Sequence, residues 1–231
     1  AAQGIPDPRL RVIFTLGTFL MRSAGCIVHD RADRNLDGGV ARTEGRPLVT
    51  GEVTVKEALL LFAVLMLLAF ILVLFTNTFT VQLSFIAVAL ASAYPFMKRY
   101  THMPQLALGA AFSWGIPMAF AAQAGTLPHA LWFLFLGNLL WTIAFDTAYA
   151  MVDREDDLKV GIKSSAILFG RYDRLAIGVL QVACLVSFYL AGRGFGLGEI
   201  FNGSLVVAAA LFAYHQVLLR ERQPAACFKA F

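Results

Sequence analysis

Apolar residues fall in seven long runs, at about Leu10 to Val28, Ala58 to Phe75, Val81 to Met97, Leu106 to Ala124, Ala130 to Ala150, Leu175 to Ala191 and Ile200 to Leu219. Each is close to the roughly 20 residues that carry a helix across a bilayer, so the pattern predicts seven transmembrane helices. No strand alternation and no low-complexity tract interrupts them. Thr76-Asn77-Thr78, Gly125-Thr126-Leu127-Pro128 and the segment Gly192 through Gly198 are short turn sequences. The connections after the first, third and fifth runs are longer and charged. The predicted fold class is therefore all-α, a polytopic membrane helix bundle read as one domain over residues 1–231.

Charge sharpens the picture by its placement. Fifteen of the nineteen Lys and Arg lie in the loops after runs one, three, five and seven. Arg9, Arg11 and Arg193 mark the other side, and Arg22 lies inside the first run. Cytoplasmic loops carry an excess of Lys and Arg, so the charged loops are expected to be cytoplasmic. One missed or invented helix would scramble this alternation from that point onward.

Composition then narrows the class. With 58% hydrophobic residues, 15% charged and a mean hydropathy of +0.69, the 231 residues exceed what one water-soluble core hides, and they exclude a disordered chain. The net charge of +4 alone is compatible with a nucleic-acid partner, but a binding face needs aqueous surface that this composition barely leaves, and no nucleic-acid partner is expected. Cys26, Cys184 and Cys227 lack any CxxC spacing and read as small apolar packing residues.

The acids are as one-sided as the bases. Asp30, Asp33, Asp37, Glu44 and Glu52 follow the first run, and Asp153, Glu155, Asp156 and Asp157 follow the fifth. If the first helix continues, Asp30, Asp33 and Asp37 share a stripe, as do His29, Asp33 and Asp37. Asp146, Asp153 and Asp157 repeat the arrangement at i, i+7 and i+11. Stacked like charges destabilise a helix unless something positive sits between them. Oxygen ligands without Cys suit Mg²⁺, which takes one or two carboxylates and completes its shell with water and phosphate. The alternative is a pair of solvated polar loops, which the repetition at two helix ends disfavours.

Arg22 and Asp146 lie within apolar runs, where an idle charge is costly. Arg22 has two readings: an ion pair with Asp30 or Asp146, or a bidentate clamp on a substrate carboxylate. Asp146 is a member of the ligand network or a structural partner. Lys98 and Arg99 follow Tyr94-Pro95 and either anchor a helix at the interface or hold an anion. Lys159 and Lys163 invite the same comparison, as do Arg42 and Arg46.

Together the strings RSAGCIVHDRADRNLD (Arg22 to Asp37), RTEGRPLVTG (Arg42 to Gly51), YPFMKR (Tyr94 to Arg99) and DTAYAMVDREDDLKVGIKSSAILFG (Asp146 to Gly170) resemble the UbiA superfamily of intramembrane aromatic prenyltransferases. The likeness is to its bacterial 4-hydroxybenzoate branch, in ubiquinone biosynthesis. It implies a nine-helix membrane fold, of which this chain is expected to hold the second through eighth helices. The family's NDxxDxxxD motif has His29 here in its first position. By the same resemblance, Asp33, Asp37, Asp153 and Asp157 are the catalytic acids that hold two Mg²⁺, Asp30 joins the metal-binding set, and Asp146 supports it. Tyr94, Lys98, Arg99 and Lys163 are expected to contact the diphosphate. Arg22, His29, Asp146 and Tyr149 are expected on the aromatic acid.

The implied partners are polyprenyl diphosphate, 4-hydroxybenzoate and membrane lipid, and the implied location is the bacterial inner membrane with the active-site loops cytoplasmic. Two other readings compete with this one. A UbiA-type enzyme with another acceptor would not need the carboxylate clamp, and a multi-pass transporter would more often place its ionisable groups at mid-membrane.

Overall fold

The computed structural model describes the backbone of residues 4–37 and 45–230, and their side chains apart from residues 33–37, 98 and 160. Among these residues all regular structure is helical, and seven helices or helix pairs are long and apolar enough to span a membrane. Their faces carry many exposed large apolar side chains, including Phe19, Leu60, Leu67, Ile200 and Val206. In water such a surface would aggregate. In lipid it is the solvent-matched face, and the helices satisfy their own backbone groups.

The chain divides into two contact-dense units, Ala1–Phe96 with Pro117–Leu127, and Met97–Ile116 with Pro128–Phe231. The first unit begins with α1 (Pro8–Asp37), which runs nine residues beyond the apolar stretch, so that all three acids of the first motif ride one helix. The short α2 (Pro47–Thr50) packs on α1, and so does α3 (Val55–Leu74). A capping box fixes where α3 starts. Thr54 Oγ1 accepts the Glu57 N–H at 3.3 Å, and the Glu57 carboxylate accepts the Thr54 N–H at 2.8 Å. α4 (Thr78–Tyr100) is entered through Asn77, whose Oδ1 accepts from both Thr80 N–H and Thr80 Oγ1 at 2.8 Å. The Asn77 Nδ2 donates to the Ala121 carbonyl at 2.6 Å, tying this turn to α6 (Gly115–Ala124).

One apolar run proves to be two helices. α5 (Pro104–Ser113) and α6 are interrupted at Trp114. Pro117 causes this, because it lacks the N–H that would bond the Ser113 carbonyl and its ring crowds that carbonyl.

The second unit is organised around α7 (Ala130–Val152), with α5 and α10 (Asp173–Gly194) against it and α12 (Pro224–Ala230) across its end. Its buried cluster is built largely from small residues, among them Ala144, Ala148, Ala150, Ala166 and Cys227. Small side chains let membrane helices approach closely, which is where packing energy in lipid comes from. α8 (Arg154–Val160), α9 (Ser165–Phe169) and a single 3₁₀ turn (Gly170–Tyr172) link α7 to α10. α11 (Glu199–Leu218) packs on α10, where Gln216 Nε2 donates to Gln181 Oε1 at 3.0 Å.

Gly137 on α7 lies beneath the Phe188 ring of α10, and a Cβ there would stand 2.7 Å from two ring carbons. Gly137→Ala is expected to destabilise this unit by about 1–3 kcal/mol through overpacking. Thermal unfolding of the detergent-solubilised protein would show a lowered midpoint. Gly17→Ala, on α1 where a Cβ meets open space, should leave the midpoint unchanged or slightly raised.

Candidate active site

In the first unit the acidic end of α1 is built as the helical spacing requires. Asp30 pairs with Arg46 across the connection to α2, Nη1 to Oδ1 at 2.9 Å. This corrects one reading of Arg22, which is exposed and has no ion partner among the described residues. Asp30, expected in the metal-binding set, thus also has a guanidinium partner. The His29 ring lies 5.8 Å from that of Tyr94 on α4, tilted by 31°, so a residue expected on the aromatic acid and one expected on the diphosphate are in contact. The side chains of Asp33 and Asp37, and Arg42 and Glu44 entirely, lie outside the described residues.

In the second unit the expected single stripe of Asp146, Asp153 and Asp157 is broken. Asp153 has φ −93° and ψ 4°, which ends α7 there and starts α8 at Arg154. The break keeps the two terminal acids together. The Asp157 N–H bonds the Asp153 carbonyl at 2.8 Å, so both carboxylates leave the same turn. Asp157 is buried and Asp153 half-buried. Glu155, Asp156 and Asp157 occupy the first turn of α8, where the helix dipole favours negative charge.

α8 closes at Gly161, whose φ of 77° is the left-handed conformation that glycine adopts without a Cβ penalty. This reversal carries the chain to Lys163, whose Nζ donates to the Tyr100 carbonyl at the end of α4 at 3.4 Å. That carbonyl belongs to the residue that follows the Lys98-Arg99 pair, at a helix C-terminus where the dipole favours a cation. The Lys98 side chain lies outside the described residues, and that of Arg99 is exposed. Lys159, which invited the same reading as Lys163, pairs instead with Asp156 at 3.0 Å, and that bond holds its ammonium pKa above the ordinary value. Ser164 caps α9 by accepting from the Ile167 N–H, and buried Ser165 shares a 2.8 Å hydrogen bond with Thr147 of α7.

Asp146 is partly buried on α7 and bonded to Gln105 of α5, a partner that spacing gave no means to name. The Tyr149 ring meets Phe228 of α12 at 6.3 Å. Sequence reading missed a second polar centre altogether. Asp173, at the start of α10, is fully buried and holds Arg154 and Arg222. Its three bonding partners are 1, 19 and 49 residues away, so only the fold brings them together.

A hard divalent cation fits this donor chemistry. Asp153 and Asp157 offer oxygen ligands from one turn, and Arg154 and Lys159 on the same short helix are each paired with a carboxylate. No three His, Cys, Asp or Glu side chains converge among the described residues, which leave out the side chains of Asp33 and Asp37.

The comparisons with known proteins agree over the whole length. The model of the UbiA prenyltransferase family matches residues 1–231. A 4-hydroxybenzoate octaprenyltransferase of Saccharophagus degradans is 59% identical over 231 residues, covering all of this chain and 77% of that protein. One from Vibrio cholerae is 60% identical over the same residues, covering 81% of its length. Among solved structures, the apo form of a UbiA homolog from Aeropyrum pernix superposes with a TM-score of 0.82 at 24% identity, over 97% of this chain and 89% of that one. A UbiA homolog from Archaeoglobus fulgidus bound to GPP and Mg²⁺ gives 0.76 at 17% identity, over 94% of this chain and 78% of that one. The fold is shared with these archaeal proteins, and by the match of its full length this chain belongs to the UbiA prenyltransferase family.

Proposed function

We propose that this protein transfers a polyprenyl group from polyprenyl diphosphate to the ring carbon ortho to the hydroxyl of 4-hydroxybenzoate, with loss of the proton from that carbon and release of diphosphate, as a step of ubiquinone biosynthesis. The observation that carries the reading is the 59 to 60% identity, over every residue of this chain, to relatives named 4-hydroxybenzoate octaprenyltransferase. The protein is a multi-pass membrane protein. The excess of Lys and Arg on one side supports an inner-membrane location with the acidic helix ends cytoplasmic.

The chain's own residues supply most of what such a transfer requires. Ionisation of an allylic diphosphate moves negative charge onto the leaving group, and fixed cations stabilise that charge as it develops. Lys98, Arg99 and Lys163 are assigned to the diphosphate, with the Tyr94 hydroxyl as a further donor. Asp33, Asp37, Asp153 and Asp157 would hold Mg²⁺, which supplies Lewis-acid neutralisation of the diphosphate oxygens. The Mg²⁺ in the Archaeoglobus fulgidus homolog supports this choice of cation. Asp30, already paired with Arg46, is assigned a supporting part.

The allyl cation left behind must meet the aromatic ring before it meets water. A site among apolar helices limits water access and leaves room for the prenyl tail. Arg22 is assigned to the acceptor carboxylate, an anion that needs a cation at this depth. Its exposure leaves its guanidinium available for that partner. His29, Tyr149 and Asp146 are assigned to the aromatic acid, and electron-rich rings such as Tyr94 and Tyr149 favour a nearby cation.

In membranes containing the protein, Asp153→Asn should lower kcat for prenylation of 4-hydroxybenzoate by about 10²- to 10³-fold, as for loss of one preorganised charge-stabilising group. Turnover at the parent rate would remove Asp153 from the metal set.

Arg22→Ala should act on the acceptor instead. Losing a charge-assisted hydrogen bond of about 1.5–3 kcal/mol raises the KM for 4-hydroxybenzoate by about 10- to 100-fold, with little change in the KM for the prenyl donor. An unchanged dependence on acceptor concentration would contradict the clamp.

A further inference from the structure

Asp173 is a carboxylate with no exposed surface, at the first residue of α10. Charges this deep persist only when they are paired and hydrogen-bonded. Here the pairing is complete. Arg154 Nη2 donates to Oδ2, Arg222 Nε donates to both oxygens at 3.0 and 3.1 Å, and the Arg174 backbone N–H donates to Oδ1. Arg222 Nη2 also lies 2.9 Å from Oδ1 and donates to the Arg171 carbonyl at 2.8 Å.

The two arginines come from different places, and each brings a segment with it. Arg222 closes the turn between α11 and α12 with φ 52°, the one non-glycine residue at positive φ among the described residues. Such a conformation is uncommon for a residue with a side chain, and its guanidinium bonds hold it there. Arg154 is the first residue of α8, directly after Asp153 and three residues before Asp157. The junction at Asp153 is the point where α7 stops, so nothing in the α7 hydrogen-bond ladder dictates where α8 goes. The Arg154–Asp173 pair ties the first residue of α8 to the first residue of α10.

We infer that Asp173 is a positioning residue for the second acidic motif, acting through Arg154 to fix the direction in which α8 presents Asp153 and Asp157. The inference rests on the reading of those two acids as cation ligands. It has a signature that distinguishes it from simple electrostatics. Removing the Arg154 charge, next to a cation site, would by Coulomb's law tighten cation binding. If Arg154 positions the ligands, removing it weakens binding. Loss of a group that orients metal ligands typically costs about 10- to 100-fold in metal affinity.

The test is a titration of the purified, detergent-solubilised protein with Mn²⁺ in the presence of inorganic diphosphate, read by electron paramagnetic resonance. Prenyl transfer and thermal midpoint are measured on the same preparations. Arg154→Gln leaves Asp173 with Arg222 and should raise the Mn²⁺ half-saturation by about 10- to 100-fold. Arg222→Gln removes the other arm and should lower the thermal midpoint with the Mn²⁺ half-saturation unmoved. Arg154→Lys keeps a cation against Asp173 and protects the experiment against misfolding; it should give a smaller shift in the same direction.

An unchanged or tightened half-saturation in both Arg154 variants would overturn the inference. So would an equal shift in Arg222→Gln, which would make the effect one of general stability. A parent protein that binds Mn²⁺ but transfers no prenyl group would sink the proposed function and leave Asp173 in its role. A parent that binds no Mn²⁺ would overturn the inference itself.

Discussion

Hydrocarbon does not tolerate an unpaired charge, and the arrangement of this protein follows from that constraint. Most of its acids and bases lie at the ends of the apolar helices or in the segments that join them. Where a charge sits deeper, the structure gives it a partner or leaves its head exposed. Asp146 has Gln105, Asp173 has two arginines, and Arg22 is exposed. The same intolerance makes the helices self-sufficient in backbone hydrogen bonds, so the interruptions stand out as local events with local causes. Pro117 divides α5 from α6, Asp153 divides α7 from α8, and Gly161 turns the chain towards Lys163.

These interruptions shape the chemistry available at the acidic ends. On a continuous helix, Asp153 and Asp157 would simply extend the stripe that Asp146 begins. The break at Asp153 separates the deeper acid from the two terminal ones and gives them different partners. Asp146 is held within the bundle by an amide, and Asp157 lies in the first turn of a short helix whose dipole favours it. An acid held by an amide donor and a pair of acids on one turn are suited to different tasks, orientation in one case and cation binding in the other.

Much of this was legible in the sequence because hydropathy and charge alternation are properties of contiguous residues. The seven runs, the shared stripe of the three acids after Val28 on a continuing helix, and the gathering of bases on alternate loops all follow from spacing alone. Partner choice was not legible. Arg46 lies 16 residues from Asp30, Gln105 lies 41 from Asp146, and Arg222 lies 49 from Asp173, with nothing local to single out any of these pairs. Nothing local singles out Asp173, since an acid at a helix start needs no other explanation. The helix break at Asp153 was hidden for a related reason: the spacing of acids at i, i+7 and i+11 is as compatible with two helices as with one.

The central claim is that the acidic helix ends serve a cation-dependent transfer of a prenyl group to an aromatic acid. It is tested most directly by supplying membranes that contain the protein with ring-labelled 4-hydroxybenzoate and a polyprenyl diphosphate, and by measuring label in the solvent-extractable lipid. The account predicts label that requires the prenyl donor, disappears with a chelator and returns on addition of Mg²⁺. Transfer that persists through chelation, or no transfer under any of these conditions, would contradict it.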